Sequence, residues 1–103
     1  MKYRVASIDA AQYPRLLITF DDGFSGAYDF SALIRENALF APLKDTHLFS
    51  QVNIDQGGRR FGWALDDPGH EIDLCADATR IELETLSVNA MAREYAASLL
   101  AAE

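Results

Sequence analysis

The chain has 103 residues, half of them hydrophobic and a quarter charged, the profile of one soluble globule with room for a single modest core. Sixteen acidic residues against nine basic ones give a net charge of −7, an average field that repels duplex DNA and anionic lipid. The single cysteine, Cys75, excludes an internal disulfide. It points to a reducing cytoplasm, and the opening MKYRVASIDA lacks the apolar segment of a signal peptide. No apolar run approaches the roughly 18 residues that span a bilayer, so no membrane partner is expected.

Tyr3 to Ile8 reads as a first strand, and Pro14 punctuates the chain after it. Leu16, Ile18 and Phe20 then alternate with Leu17 and Thr19, which predicts a second strand. Asp22-Gly23 predicts a two-residue hairpin turn with both residues at positive φ, and Phe24, Tyr28 and Phe30 continue on the return strand. Gly26, inside that strand, signals a bulge or a close backbone approach. Asp29 and Ser31 can each offer a capping oxygen to a short helix over 31–37. Pro42 breaks the chain after that helix, and 43–49 can form another helical turn capped by Asp45 or Thr46.

From Leu48 to Leu65 the pattern is a second hairpin. Val52 and Ile54 share one face, as do Phe61, Trp63 and Leu65, with Asp55-Gln56-Gly57-Gly58 as the loop. Asp66-Asp67-Pro68-Gly69 is a turn, and Ile72 and Leu74 suggest a sixth strand. Residues 79–84 fit either strand or helix. Ser87 then opens an Ala-rich amphipathic helix over 87–101, with Val88, Met91, Ala92, Tyr95, Ala96, Leu99 and Leu100 at helical spacing. Val88, Ala92, Tyr95 and Leu99 step by 4, 3 and 4, like one seam of a coiled coil. That helix can dock on the domain's own sheet or pair with a second subunit as a homodimer. The expected architecture is α+β: a small two-layer domain of antiparallel β-hairpins with short helices and a C-terminal amphipathic helix. Residues 1–84 form the body, and 85–103 form a helix belonging to the same single domain.

Several pieces together resemble a known bacterial family. They are Pro14-Arg15-Leu16, Phe20-x-Asp22-Gly23, Asp29, Leu33, Phe40-x-x-Leu43-Lys44-Asp45, Leu48-Phe49-x-x-Val52, Asp55-x-Gly57-Gly58 and Phe61-x-Trp63. In order and spacing, over about residues 3–79, they resemble the domain of unknown function 2442. The resemblance implies a small fold of antiparallel hairpins in a cytoplasmic bacterial or phage protein. It also implies a protein partner for some members, encoded alongside in arrangements like toxin–antitoxin pairs, and a helix-turn-helix after the domain in others. It brings no catalytic residues and no cofactor. Two departures stand out: Trp63 is followed by a longer acidic ALDDPGHE, and the later segment reads Asp73-Leu74-Cys75-Ala76-Asp77. The tail has room for one helix and carries only Arg80 and Arg93 as basic residues, so a DNA-binding tail and a nucleic-acid partner are disfavoured.

The best candidate for chemistry is the acidic turn, with Asp67, Glu71, Asp73 and His70 as weak metal-ligand candidates beside Asp66 and Asp77. Converging carboxylates can hold a hard cation or share acid–base work. The spacing fits no EF-hand loop, and His70-Glu71 lacks the second histidine of a zinc protease helix. A solvated acidic turn is the competing reading. His47, His70 and Cys75 offer few zinc ligands, and Cys75 reads as an inert buried thiol. Gly57-Gly58 is no phosphate loop, and Arg59-Arg60 reads as a pair solvating a sheet edge. No serine lies in a nucleophile motif. Catalytic residues are therefore assigned to none. For partner binding the candidates are Trp63, Tyr95 and Leu99. The functional expectation is a non-catalytic protein-binding module, with antitoxin-like pairing to an adjacent gene product as its finer form. A metal-binding or enzymatic domain using 66–77 and a self-assembling structural domain are the alternatives.

Overall fold

A computed structural model describes the backbone of residues 2–101 and the side chains of residues 2–97. Strands β1 (Val5–Gln12), β2 (Arg15–Phe20) and β3 (Ser25–Asp29) form one antiparallel sheet in the order β1-β2-β3. Helix α1 (Ser31–Glu36), a 3-10 helix (Ala38–Lys44) and α2 (Thr46–Ser50) come next. Strands β4 (Asn53–Ile54), β5 (Arg60–Trp63) and β6 (Ile72–Cys75) make a second antiparallel sheet in the order β4-β5-β6, and α3 (Ala76–Ala101) ends the chain. The fold class is α+β, as the alternation of short apolar strands and turns predicts.

β2 carries the clearest local signal. Leu16, Ile18 and Phe20 face inward and are buried, while Leu17 stays 47% exposed on the outer face. β1 reaches four residues further than its apolar pattern, to Gln12. Pairing with β2 carries it there, with register irregularities after Val5 and Asp9, up to a turn at the cis Tyr13–Pro14 bond. The β2–β3 loop differs from the predicted two-residue turn. Phe20 N–H donates to Phe24 O, Gly23 N–H donates to Phe20 O, and Gly23 alone of Asp22 and Gly23 has positive φ, at 92°. That is a three-residue loop closed by a left-handed glycine.

Asp29 Oδ1 accepts from Ser31 N–H at 2.8 Å at the start of α1, and Asp45 Oδ1 accepts from His47 N–H at 2.9 Å at the start of α2. Both are the short-range side-chain bonds that satisfy orphan helix donors. The predicted turn over 43–49 is in fact two helices that meet at Asp45. Asn37 Oδ1 caps the 3-10 helix through Leu39 N–H, and Pro42 fits within that short helix.

The two sheets share one core. Phe30, Phe49, Phe61 and Trp63 are fully buried with Leu16, Ile18, Phe20 and Leu43. The Phe30 ring meets Trp63 edge-on at 5.5 Å and Phe49 at 6.0 Å. Trp63 Nε1–H donates to Phe49 O at 2.9 Å, so the indole's polar end is satisfied inside the core. The loop before β5 joins the sheets: Val5 N–H donates to Gly58 O at 2.7 Å, with Gly58 at φ 71°. A Cβ on Gly58 would lie 2.7 Å from Val5 O, so this approach needs glycine.

The largest correction concerns α3. The helix starts at Ala76 and not at Ser87, and residues 79–84 are helical. The 84/85 division of the chain therefore falls inside a helix. What changes there is burial: Ala76, Thr79, Arg80 and Leu83 are buried, whereas every residue from Thr85 to Ala97 is exposed. Leu83 Cδ2 would lie 3.2 Å from a Cβ on Gly26, so the glycine marks close approach of helix to strand and not a bulge. The helix docks on the body only through these first turns, and the tail expected to dock, 87–101, is exposed as far as its side chains are described, to Ala97. That stretch projects, and the molecule measures 57 × 30 × 21 Å along its principal axes. Among the described residues no helix is long and apolar enough to cross a membrane.

Candidate functional site

The acidic turn is built by short hydrogen bonds that spend its carboxylates one at a time. After β5 the chain bends through Ala64, at φ 53°, with Asp67 N–H donating to Ala64 O and His70 N–H to Asp67 O. Asp67 Oδ1 lies 3.3 Å from His70 Nδ1. Glu71 Oε2 accepts from Gly69 N–H at 2.8 Å. Asp73 Oδ2 accepts from Arg60 Nη1 at 3.1 Å. Asp77 accepts from Tyr3 N–H at 2.7 Å and from Lys2 N–H, which tie the N-terminal segment to α3 and hold its carboxyl below the usual range. Among the described residues no three His, Cys, Asp or Glu side chains converge on a metal-sized space. Asp67 and His70 are neighbours; Glu71 and Asp73 do not join them. A groove of about 570 Å³ along Leu48, Gln51, Val52 and Asp66 contains one carboxylate, Asp66, and no partner for acid–base work.

Arg60 corrects the reading of Arg59-Arg60 as a solvated pair. Its Nε donates to Asp55 at 3.0 Å and its Nη1 to Asp73, so it clamps the β4–β5 loop to β6. The Asp55 bond, then the Asp73 bond, raise the guanidinium's pKa. Cys75 is half-buried at the end of β6, less enclosed than expected.

Of the partner-binding candidates, Trp63 is a core residue at 1% exposure. Its place in β5 turns it toward Phe30 and Phe49, so it offers no surface. Tyr95 is 68% exposed on α3. Leu99 lies outside the residues whose side chains are described.

Sequence reasoning missed Arg80, the residue that fixes α3. Its side chain is 8% exposed. The guanidinium lies over three rings, 4.1 Å from the Phe24 centroid, 4.5 Å from Tyr3 and 5.0 Å from Phe20. Nη1 donates to Asp22 Oδ1 at 2.9 Å and Nε to Glu84 Oε1 at 2.7 Å. The Asp22 bond in turn holds the Asp22 carboxyl below the usual range. Near this anchor, the Tyr28 hydroxyl donates to Glu82 Oε2 at 2.9 Å. Burial, and then that carboxylate, push the Tyr28 phenol up to about 12. The Arg80–Glu84 spacing of four is legible as a helical pair. The cage is not, because its rings and Asp22 come from the far end of the chain.

Beyond this anchor, Ile81, Val88 and Tyr95 recur every seven residues with Met91 between them, at 60%, 62%, 68% and 64% exposure. Among the described residues these large apolar side chains form an exposed stripe that starts at the docked base and runs along the projecting part of α3.

Neither the curated proteins nor the solved structures contain a match to this chain. A family model does match, from the start of β1 to the first turn of α3, leaving the projecting half of the helix outside it. Over residues 5–78, and hence over most of its length, the chain belongs to the family described as Protein of unknown function (DUF2442).

Proposed function

We propose that this protein is a non-catalytic protein-binding module whose recognition element is the projecting half of α3. The observation that carries the reading is the apolar stripe Ile81, Val88, Met91 and Tyr95, exposed in a row on a helix held rigidly at its base by Arg80. In its finer form the partner is the product of an adjacent gene in a bacterial cytoplasm, in an antitoxin-like pair. The net charge of −7 supports a basic partner, which an acidic body steers in and neutralises.

The test is amide hydrogen exchange on α3, alone and with the purified neighbouring gene product. Amides over 85–97 should exchange fast in the free chain and slow at least about tenfold when the partner binds. A basic neighbour that does not bind at micromolar concentration, or that binds and leaves 85–97 unprotected, refutes the reading.

A further inference from the structure

We propose that the first occupant of this stripe is a second copy of the chain, with two α3 helices pairing antiparallel along Ile81, Val88, Met91 and Tyr95. The proposal rests on the reading of α3 as a protein-binding element and adds self-pairing at the same stripe.

The stretch from Thr85 to Ala97 carries only Arg93 and Glu94, which helical geometry sets off the stripe, Arg93 on the opposite side of the helix. Glu84, the one carboxylate beside the stripe, is already bonded to Arg80. The stretch from Thr85 to Ala97 is therefore net neutral on a chain of charge −7. An identical apolar face matches it without leaving a charge unpaired, while the acidic body stays free to steer a basic protein.

Orientation is set by the same charge. The acidic residues lie almost wholly before residue 85, so parallel pairing would set two acidic bodies side by side. Antiparallel pairing sends them to opposite ends of helices that each span roughly 39 Å. In that arrangement Val88 and Met91 of one copy meet the same pair of the other near the two-fold axis, and Ile81 runs beside the Tyr95 end of its partner.

Size and helix stability agree. Four large side chains per copy, already 60–68% exposed, would bury roughly 1,000 Å² in all, at the lower edge of specific interfaces. An unsupported helical stretch of about 12–15 residues is marginal in water, and pairing supplies the tertiary contact it lacks. A dissociation constant on the order of 10–100 µM is expected.

Sedimentation equilibrium on the full chain tests this. The weight-average mass should rise from 11.4 kDa toward twice that value as concentration increases to about 500 µM. Val88→Glu, which places like charges together at the axis, should stay monomeric. Ala90→Glu adds the same charge on the other side of the helix and should dimerise as the wild type does. Tyr95→Glu is the second stripe variant should Val88→Glu lose its far-ultraviolet helix signal. A wild-type chain monomeric to about 500 µM overturns self-pairing. So does equal behaviour of Val88→Glu and Ala90→Glu, which would put the contact elsewhere. Neither result bears on protection of 85–97 by a different protein, so failure here and failure of the functional reading are separate outcomes.

Discussion

Replacing Arg80 by alanine should loosen the base of α3 and lower the stability of the whole domain. The guanidinium is 8% exposed and sits within 5.0 Å of three ring centroids. Cation–π contacts are worth about 0.5–1 kcal/mol at exposed sites and about 2 kcal/mol when desolvated, and this site is of the second kind. The stem of Arg80 also covers apolar surface, adding about 1 kcal/mol when it is removed. The ion pairs add little, because Asp22 and Glu84 are 46% and 43% exposed and are solvated when released. The expected loss is about 2–3 kcal/mol, a drop in Tm of roughly 10 °C or more for a domain of this size. Arg80→Lys keeps the charge but not the planar stacking, so about half of that loss should remain. Urea titrations followed by far-ultraviolet circular dichroism and by Trp63 fluorescence measure both. An Arg80→Ala chain within about 0.5 kcal/mol of wild type would show that the cage stabilises nothing. If Asp22→Asn cost as much as Arg80→Ala, the ion pair and not the rings would be responsible.

Stability should fall at both ends of the pH scale. Arg80 holds the Asp22 carboxyl low, the Ser31 N–H holds Asp29, Arg60 holds Asp55, and the Tyr3 and Lys2 N–H groups hold Asp77. Carboxyls depressed in the folded state contribute stability that is present above their unfolded pKa, about 3.9, and lost as pH falls through the folded values. The urea midpoint should thus hold from about pH 7 to 5 and drop below about pH 4, and an equal midpoint at about pH 3 would contradict the assignment. Tyr28 works in the opposite sense. Its pKa is raised to about 12, so its contribution is present below about pH 10 and lost as pH rises through the folded value. Absorbance at 295 nm should show a late-titrating tyrosine that Tyr28→Phe removes, and an unchanged curve would place that titration elsewhere. Gly58→Ala should cost about 2–3 kcal/mol, from a left-handed φ on a residue with a Cβ and from displacing Val5. A cost below about 0.5 kcal/mol in the same urea assay would mean that the contact between the sheets gives way freely.

The hairpins were legible because strand burial repeats every two residues and turns use a few residue types. Leu16, Ile18 and Phe20 declare β2, and Asp55 to Gly58 declares the second loop. Asp45 is readable as a capping residue and Asp29 as the residue before a cap, because each bonds a donor two residues away. The family signature lies in the same stretch, from Pro14 to Trp63. What misled was information that neighbours in the chain do not carry. Trp63 looked like a surface anchor until the ring of Phe30 and the carbonyl of Phe49 were seen around it. Asp73 looked like part of an acidic cluster, but its carboxylate is bonded to Arg60 between β5 and β6.

Local residue pattern was enough to set the class of fold, the positions of its turns and the helical period of the C-terminal tail. Where α3 begins and where its support ends came from long-range packing. Those boundaries depend on Asp22, Gly26 and the rings of Tyr3, Phe20 and Phe24, which lie more than fifty residues from Arg80 and Leu83 in the chain and meet them only after folding. A periodic pattern records which face of a helix is apolar. Whether the body covers that face depends on where the first turns are anchored, and Arg80 anchors them so that Val88, Met91 and Tyr95 stand clear of it.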